Sequence, residues 1–262
     1  MTDQDVFKNW GEQAKLGDVQ AQLNLARAYA EGELTPQDYR ISANWYEHAV
    51  AAGSGEACLE LGRCYNFGMG RDVNYAEACN LYLKAAERGV GDAYVLLGLL
   101  FLEGLGVPQD ATEAYRYFCR AARAEIPQGQ HFLGWCFNQG VGVTQSDSAA
   151  VDWWTLAAEH GCGESAASLG WAYYQGRGVT RDLATSYAWF AVAASEGVDA
   201  AKVEIVEIAK SLSKSQIEAA EHECLRISDR ITKNDEQFKA ESHGVRSCLL
   251  PSVSTERPPT TR

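Results

Sequence analysis

One pattern of apolar, aromatic and glycine residues recurs every 36 residues through most of the chain. In each copy a leucine is followed four positions later by an aromatic residue, and three positions after that by a glycine. The leucines are Leu25, Leu61, Leu97, Leu133 and Leu169. A second segment carries an apolar residue followed directly by an aromatic one, and the first members of these pairs are Trp45, Leu81, Tyr117, Trp153 and Trp189. A fixed period of this size without insertions is typical of a solenoid built from stacked repeats.

Each copy is predicted to form two helices, which we call A and B. In helix A of the second copy, Cys58, Leu61 and Tyr65 lie three and four residues apart, which places them on one stripe that packs on its neighbours. Four of the A helices carry a glycine in their middle, where glycine costs about 1 kcal/mol relative to alanine. These are Gly62, Gly98, Gly134 and Gly170. We expect close helix–helix approach to offset that cost.

The segments between the helices carry turn and cap signals. A Gly-x-Gly-Val sequence follows helix A in three copies and supplies residues that can adopt positive φ. The residues expected to cap helix B are Asp38, Asn74, Asp110, Ser146 and Asp182. Four copies end in a glycine, but the third ends in Glu125-Ile126-Pro127, which predicts a less regular junction with the fourth copy.

The repeat pattern also sets the predicted boundaries. Residues 1–18 are an N-terminal capping helix, because Trp10, Ala14 and Gly17 match the second half of a copy. Five repeats follow, at 19–54, 55–90, 91–126, 127–162 and 163–198.

A capping pair of helices is predicted at 199–228. Its first helix is expected to pack through Val203, Val206 and Ala209, and a capping box at Ser213-Lys-Ser-Gln216 opens the second. Residues 229–262 are predicted to be a largely disordered tail, and the alternative for its first part is helix that continues to about Ala240.

Charge and composition limit the classes of function. The chain has 262 residues and a net charge of -12, which disfavours nucleic-acid binding and favours a basic partner. No apolar run is long enough to span a bilayer, so no membrane association is expected. The eight cysteines do not recur with the repeat, and the acidic N-terminus lacks the features of an export signal. We therefore expect reduced thiols and a cytoplasmic location.

The full motif reads Ala-x3-Leu-Gly-x2-Tyr-x2-Gly-x-Gly-Val-x2-Asp, followed by Ala-x2-Trp-Tyr/Phe-x2-Ala-Ala-x2-Gly. It resembles the Sel-one-like repeat proteins of the tetratricopeptide-like superfamily, and the segment from Ile208 to Gln216 resembles the cap common in their bacterial members. The resemblance implies an all-α fold, a right-handed α/α superhelix of helix-turn-helix repeats of 36 residues. It also implies that the A helices line a concave groove that binds a protein or peptide partner, as in an adaptor.

Positions on the A helices opposite the packing stripe are the candidate contacts of that groove. The candidate partner-binding residues are Arg63, Asn66, Phe67, His131, Trp135, Asn138, Trp171, Tyr174 and Gln175. Trp135 and Trp171 are the predicted anchors, because they hold equivalent positions in adjacent repeats and large exposed aromatic rings bind partners well. The alternative is that they only thicken the inner wall of the groove or contact each other across repeats.

Signals for chemistry are weak. Ser211 and Lys214 match a Ser-x-x-Lys motif of penicillin-hydrolysing enzymes, but the same segment is explained by a helix start. His131, Cys136, His160 and Cys162 fall in one repeat without the spacing of a zinc site. We therefore expect a non-catalytic interaction protein with no cofactor and no metal. The alternatives are an immunity protein that neutralises a cognate bacterial toxin and, less favoured, a β-lactam-binding or β-lactam-hydrolysing enzyme.

Overall fold

A computed structural model describes residues 2–241 of the chain, and the side chains up to residue 234. The described residues form thirteen α-helices and no strands, which confirms the all-α prediction. The helices are α1 (Asp3–Lys15), α2 (Val19–Glu31), α3 (Tyr39–Ala51), α4 (Gly55–Phe67), α5 (Tyr75–Glu87), α6 (Asp92–Glu103), α7 (Ala111–Arg123), α8 (Pro127–Gln139), α9 (Asp147–Glu159), α10 (Gly163–Gln175), α11 (Leu183–Ser195), α12 (Ala200–Ala209) and α13 (Lys214–Glu241). The A helices of the five repeats are α2, α4, α6, α8 and α10, and the B helices are α3, α5, α7, α9 and α11. None of the described helices is long and apolar enough to cross a membrane.

The chain divides into two compact units. The first unit is Met1–Phe132 with Val141–Val143, and the second is Leu133–Gly140 with Thr144–Arg262. In the first unit each helix from α1 to α7 packs on the next one in sequence. In the second unit α9, α10 and α11 pack in the same way, and both α12 and α13 pack on α11. Consecutive helix pairs of an α/α solenoid therefore build both units.

The glycines within the A helices allow the two helices of a repeat to approach closely. A Cβ atom built on Gly62 would lie 2.5 Å from Cε1 of Tyr82, and the equivalent atom on Gly170 would lie 2.9 Å from the ring of Phe190. Tyr82 and Phe190 are buried, so each ring fills the space that a side chain on the glycine would need. The expected close approach of the two helices at these glycines is confirmed.

The glycines of the turn after helix A have two different roles. The first one ends the helix in the left-handed conformation, as at Gly104 with a φ of 71°. The second one lies against the first turn of helix B in the preceding repeat. A Cβ on Gly106 would be 2.4 Å from the carbonyl carbon of Tyr75, and one on Gly178 would be 2.3 Å from the carbonyl oxygen of Asp147. Only glycine allows this contact between the backbones of successive repeats.

The predicted caps of the B helices are confirmed. Asp38, Asp110 and Asp182 each accept hydrogen bonds from two backbone amides of the following first turn. Asn74 and Ser146 each accept one. These bonds satisfy amide groups that have no partner within the helix, and so they fix where each B helix begins.

Glu125 occupies the position at which the other repeats have glycine. Its φ is 58°, whereas Gly89 and Gly161, one repeat before and one after, have φ values of 83° and 77°. The turn therefore keeps the left-handed conformation of the other junctions, and α8 begins at Pro127. The irregularity predicted here is that Glu125, which is not glycine, adopts the left-handed conformation. This conformation lowers the stability of the folded chain by about 1 to 2 kcal/mol.

The two ends of the repeat region are packed differently. At the N-terminal end, Ala14 of α1 is buried with Ala21 and Leu25, and Phe7 and Trp10 pack against them.

At the C-terminal end, the predicted packing face of α12 is wrong. Ala201 and Ile208 are buried, whereas Val203 and Val206 are 56% and 58% exposed. The reason is that α11 covers only one side of α12, while α13 packs on α11 and α9.

The helix α13 continues past Ser228, the predicted end of the capping pair, and reaches Glu241, which agrees with the alternative of helix to about Ala240. The capping box that opens it is present, because the Ser213 amide donates to Gln216 Oε1 at 3.0 Å and the Gln216 amide donates to Ser213 Oγ at 3.3 Å. Beyond Ser228, Ile231 is buried and Arg230 Nη1 donates to Glu159 Oε1 of α9 at 2.9 Å. These contacts extend the helix to Glu241, and the part of the predicted tail at 242–262 lies outside the described residues.

Candidate functional site

In the first unit the predicted contact residues lie in very different environments. Phe67, the last residue of α4, is 40% exposed. Asn66 and His131 are partly buried, and the His131 ring lies edge-on to Phe132 with ring centroids 5.4 Å apart. Arg63 is only 5% exposed. Of these four residues, Phe67 is the one that is openly available to a partner.

The expectation that Arg63 is an open contact residue is wrong. Its side chain folds back towards the start of α4, as long side chains on helices do, and Nη1 donates to Glu60 Oε1 at 3.1 Å. Arg63 also interacts with Asp92 of α6. The guanidinium is buried because it compensates carboxylates from two successive A helices. The sequence signal for this pair was the spacing of three residues between Glu60 and Arg63.

A row of charged side chains therefore runs along the A helices of the first unit. It includes a pair between Arg27 of α2 and Glu56 of α4 in addition to Glu60, Arg63 and Asp92. Burial raises the pKa of Glu60 and of Asp92, while the charge of Arg63 opposes the rise in both. Three carboxylates face two guanidinium groups, which leaves this surface with an excess of negative charge.

Asn66 follows Arg63 on the same helix face. Its side-chain oxygen is buried and accepts no hydrogen bond within the described part of the chain. A buried acceptor without a donor costs free energy in the folded chain.

In the second unit, aromatic side chains cluster on α10. Trp171 is partly exposed and lies edge-on to Phe190 of α11, with ring centroids 5.5 Å apart. It also lies edge-on to Tyr174, one turn further along, at 5.6 Å. Tyr174 is 38% exposed, and Gln175 beside it is exposed as well. Phe190 is buried, so the helix pair fixes the position of the Trp171 ring and, through it, that of Tyr174.

An arginine that the sequence reading missed completes this cluster. Arg181 Nε donates to the Tyr174 carbonyl oxygen at 2.9 Å, and its guanidinium carbon lies 5.9 Å from the centre of the Tyr174 ring. The ring is therefore held from two sides, by Trp171 and by Arg181. A cation over an aromatic face is a contact of about 0.5 to 1 kcal/mol at an exposed site.

Trp135 holds on α8 the position that Trp171 holds on α10, one repeat earlier, and it is also partly exposed. Both predicted anchors are therefore accessible to solvent. Accessibility is necessary for a role in binding, and it distinguishes these two tryptophans from Trp154 and Trp189, which are buried.

Asn138 was predicted to offer hydrogen bonds to a partner, but its side chain is engaged within the second unit. Its Nδ2 donates to Asp147 Oδ1 at 3.0 Å, and its Oδ1 accepts from Gln139 Nε2 at 2.6 Å. Arg177, in the turn after α10, donates to both Asp147 oxygens at 3.2 Å. Asn138 and Asp147 thus tie α8 and α9 to this turn. Asn66 holds the same position two repeats earlier, but its side-chain oxygen accepts no hydrogen bond within the described residues.

The described residues contain no group of three or more His, Cys, Asp or Glu side chains that could hold a metal ion. The seven described cysteines are free thiols. Burial raises the pKa of Cys162 to about 12 and also raises that of Cys58, Cys79 and Cys224, so these thiols stay protonated at neutral pH. Ser211 of the Ser-x-x-Lys motif is exposed. The hydroxyl that caps the start of α13 is that of Ser213, which accepts a hydrogen bond from the Gln216 amide.

The family described as Sel1 repeat matches residues 19–54, 55–90, 91–125, 127–162 and 163–198. These bounds agree with the predicted repeats except for the last residue of the third. None of the curated proteins matches the chain significantly.

Several solved structures share the fold. A Sel1 repeat protein from Oxalobacter formigenes is 28% identical, with a TM-score of 0.69 over 80% of this chain and 85% of that one. The protective antigen c5321 of uropathogenic Escherichia coli is 24% identical, with a TM-score of 0.53 over 94% of this chain and 60% of its own. The immunity protein Pa5087 from Pseudomonas aeruginosa is 20% identical, with a TM-score of 0.51 over 70% of this chain and 67% of its own.

Proposed function

The chain belongs to the Sel1 repeat family, and from this premise we propose that it is a non-catalytic scaffold that binds a protein partner through its A helices. Sel1 repeats generally serve protein–protein interaction. The observation that carries the proposal for this chain is the pair of Trp171 and Tyr174 on α10. Both rings are partly open to solvent, and the contact of Trp171 with the buried Phe190 restrains them.

The physical reason is the cost of ordering side chains on binding. A flexible side chain loses about 0.5 to 1.5 kcal/mol of conformational freedom when an interface immobilises it. The Tyr174 ring is already restrained by Trp171 and Arg181, so less of this cost remains when a partner covers it. Aromatic anchors in such settings carry a large share of binding energy in protein interfaces. Trp135 offers a second anchor in the same unit.

We further propose that the partner is basic. The row of Arg27, Glu56, Glu60, Arg63 and Asp92 carries one carboxylate more than it has guanidinium groups. The whole chain has a net charge of -12. Opposite charge on a partner would speed association and make it sensitive to ionic strength. Phe67 lies on the same helix as most of this row and is exposed, so it would contact the partner there.

The cytoplasmic location expected from the sequence is part of the proposal. The free thiols support it, since that compartment keeps cysteines reduced.

Affinity purification with matched variants tests the proposal. The tagged protein is compared with Trp135→Ala/Trp171→Ala and with Leu156→Ala, a side chain on α9 that is 37% exposed, close to the 38% of Tyr174. We expect the unmodified protein and Leu156→Ala to retain the same partner and the double variant to lose it. A partner that survives the double substitution would show that α8 and α10 do not bind it.

Neutralisation of a cognate bacterial toxin is a second candidate function. The fold shared with the immunity protein Pa5087 suggests it, and an acidic inhibitor suits a basic toxin. The two functions differ in the nature of the partner. An immunity protein requires that the captured partner, expressed alone, arrests the growth of cells and that co-expression of this chain restores growth. If expression of the partner is harmless, the toxin hypothesis is wrong while the scaffold proposal stands.

A further inference from the structure

The helix α12 stands where the A helix of a sixth repeat would stand. Val206 lies 36 residues after Gly170, at the position where four of the five repeats have the glycine beneath a B-helix ring. In the fifth repeat the ring of Phe190 covers that position. After α12 the next helix, α13, packs on α11 and α9 instead. No helix of the described region takes the place of a B helix against α12.

The uncovered side of α12 is one continuous stripe, which we call the α12 face. Its residues are spaced by three, one, three, one and three positions, so all of them lie on the same side of the helix. They are Asp199, Lys202, Val203, Val206, Glu207 and Lys210, and all six are exposed. Val203 and Val206 lie next to each other on this face, and each is more than half exposed. They form an apolar centre with charged residues on either side.

The charges of the α12 face are complementary to those of the same face turned end to end. In an antiparallel pair centred between Val203 and Val206, each Val203 lies level with Val206 of the second copy. Asp199 then lies level with Lys210 of the second copy, and both residues lie near the middle of the face, so a carboxylate meets an ammonium group at each end of the pair. Lys202 and Glu207 lie on the two edges of the face, on either side of the valines. A parallel pair in register would instead place each charge level with its own sign.

We infer that the α12 face joins two copies of the chain, through an antiparallel pair of α12 helices related by a two-fold axis. Such an interface uses the same patch on both copies and closes at the dimer. The ion pairs that now lie within each helix, Asp199 with Lys202 and Glu207 with Lys210, do not oppose it. Exposed pairs of this kind contribute little and can exchange partners.

The dimer is expected to be weak. A single helix face is smaller than the roughly 800 Å² per partner of a standard interface. We therefore expect dimerisation at micromolar or higher concentrations, and the test must cover that range.

Sedimentation equilibrium of the full chain over a wide concentration range measures the association directly. We expect a reversible monomer–dimer equilibrium that Val203→Asp and Val206→Asp each weaken at least about tenfold, since a carboxylate would be buried against an apolar side chain. The matched control is Leu225→Asp, which changes an apolar side chain on α13 that is 65% exposed and lies outside the face. It should leave the equilibrium unchanged.

A charge exchange tests the orientation of the helices. Lys210→Asp should weaken the dimer, and the double variant Asp199→Lys/Lys210→Asp should restore it, because the double variant again places opposite charges level. Circular dichroism of the same samples confirms that the variants remain folded. A chain that stays monomeric at all concentrations overturns the inference, and so does a dimer that is insensitive to both valine substitutions.

Photocrosslinking identifies what covers the face in the purified protein. With benzoylphenylalanine placed at Val203, we expect a covalent dimer after irradiation. A crosslink into residues 242–262 of the same chain would overturn the inference, because the face would then be covered within one copy. Loss of partner binding by the A-helix variants, described above, leaves these results unaffected.

Discussion

Gly98 of α6 lies directly against the ring of Phe118 of α7. A Cβ atom on Gly98 would come within 2.5 Å of Phe118 Cε1, closer than non-bonded carbon atoms approach. Phe118 is fully buried, so the ring has no space into which it could move. The same relationship joins Gly62 to Tyr82 and Gly170 to Phe190. The mid-helix glycines therefore determine how closely the two helices of a repeat pack.

Gly98→Ala should destabilise the protein by about 1 to 3 kcal/mol, as overpacking of a core does. The control is Gly11→Ala in α1, where a new Cβ would meet nothing within 4 Å. That change should stabilise the protein by about 0.5 to 1 kcal/mol, because alanine favours the helix. Urea unfolding of both variants measures the difference. Equal shifts in the same direction would mean that glycine is not required under the ring.

Glu125→Gly should stabilise the protein by about 1 kcal/mol, because the left-handed conformation at Glu125 costs a non-glycine residue that much. The reverse change, Gly89→Glu, affects the equivalent turn one repeat earlier, where a Cβ would again meet nothing within 4 Å. It should destabilise by a similar amount. Thermal unfolding of the two variants gives the comparison, and a loss of stability in Glu125→Gly would contradict the conformational explanation.

Asp92→Asn should increase the free energy of unfolding at neutral pH. Burial raises the pKa of Asp92 in the folded state, so folding disfavours its charged form. The resulting penalty is fully present above the folded-state pKa, shrinks as the pH falls through that value, and is absent below the unfolded-state pKa. The gain from Asp92→Asn should therefore disappear in acid.

Asp182→Asn should have the opposite effect and lower the free energy of unfolding at neutral pH. The hydrogen bond from Thr185 is the largest cause that lowers the pKa of Asp182, so its charge stabilises the folded state above the usual aspartate range. Removing that charge should cost stability at neutral pH, and the loss should disappear as the pH falls through the lowered pKa. Unfolding curves recorded across this range check both variants. A gain in Asp92→Asn that does not change with pH would rule out the electrostatic cause.

The period of 36 residues was enough to predict the helix pairs, the turns and the caps, because each of these depends on residues close together in sequence. The burial of Arg63 was not predictable in this way, since it depends on Asp92 in the next repeat as well as on Glu60. The engagement of Asn138 depends in the same way on Asp147, across a turn.

The C-terminal helices show the same limit. The extension of α13 beyond Ser228, one of the two alternatives for that segment, could be predicted from the regular spacing of apolar and small residues. These are Ile217, Ala220, Cys224, Ile227 and Ile231. The exposure of Val203 and Val206 could not be predicted, because the amphipathic pattern of α12 does not reveal that α13 leaves that side uncovered.

The dissociation constant of the captured partner is the most direct test of the proposed role of the A helices. Titration calorimetry should show that Trp171→Ala weakens binding by about tenfold to a hundredfold, as expected for an aromatic anchor. Leu156→Ala should leave the constant unchanged, and added salt should weaken binding if the partner is basic. Equal constants for the unmodified protein, Trp171→Ala and Trp135→Ala would contradict the account.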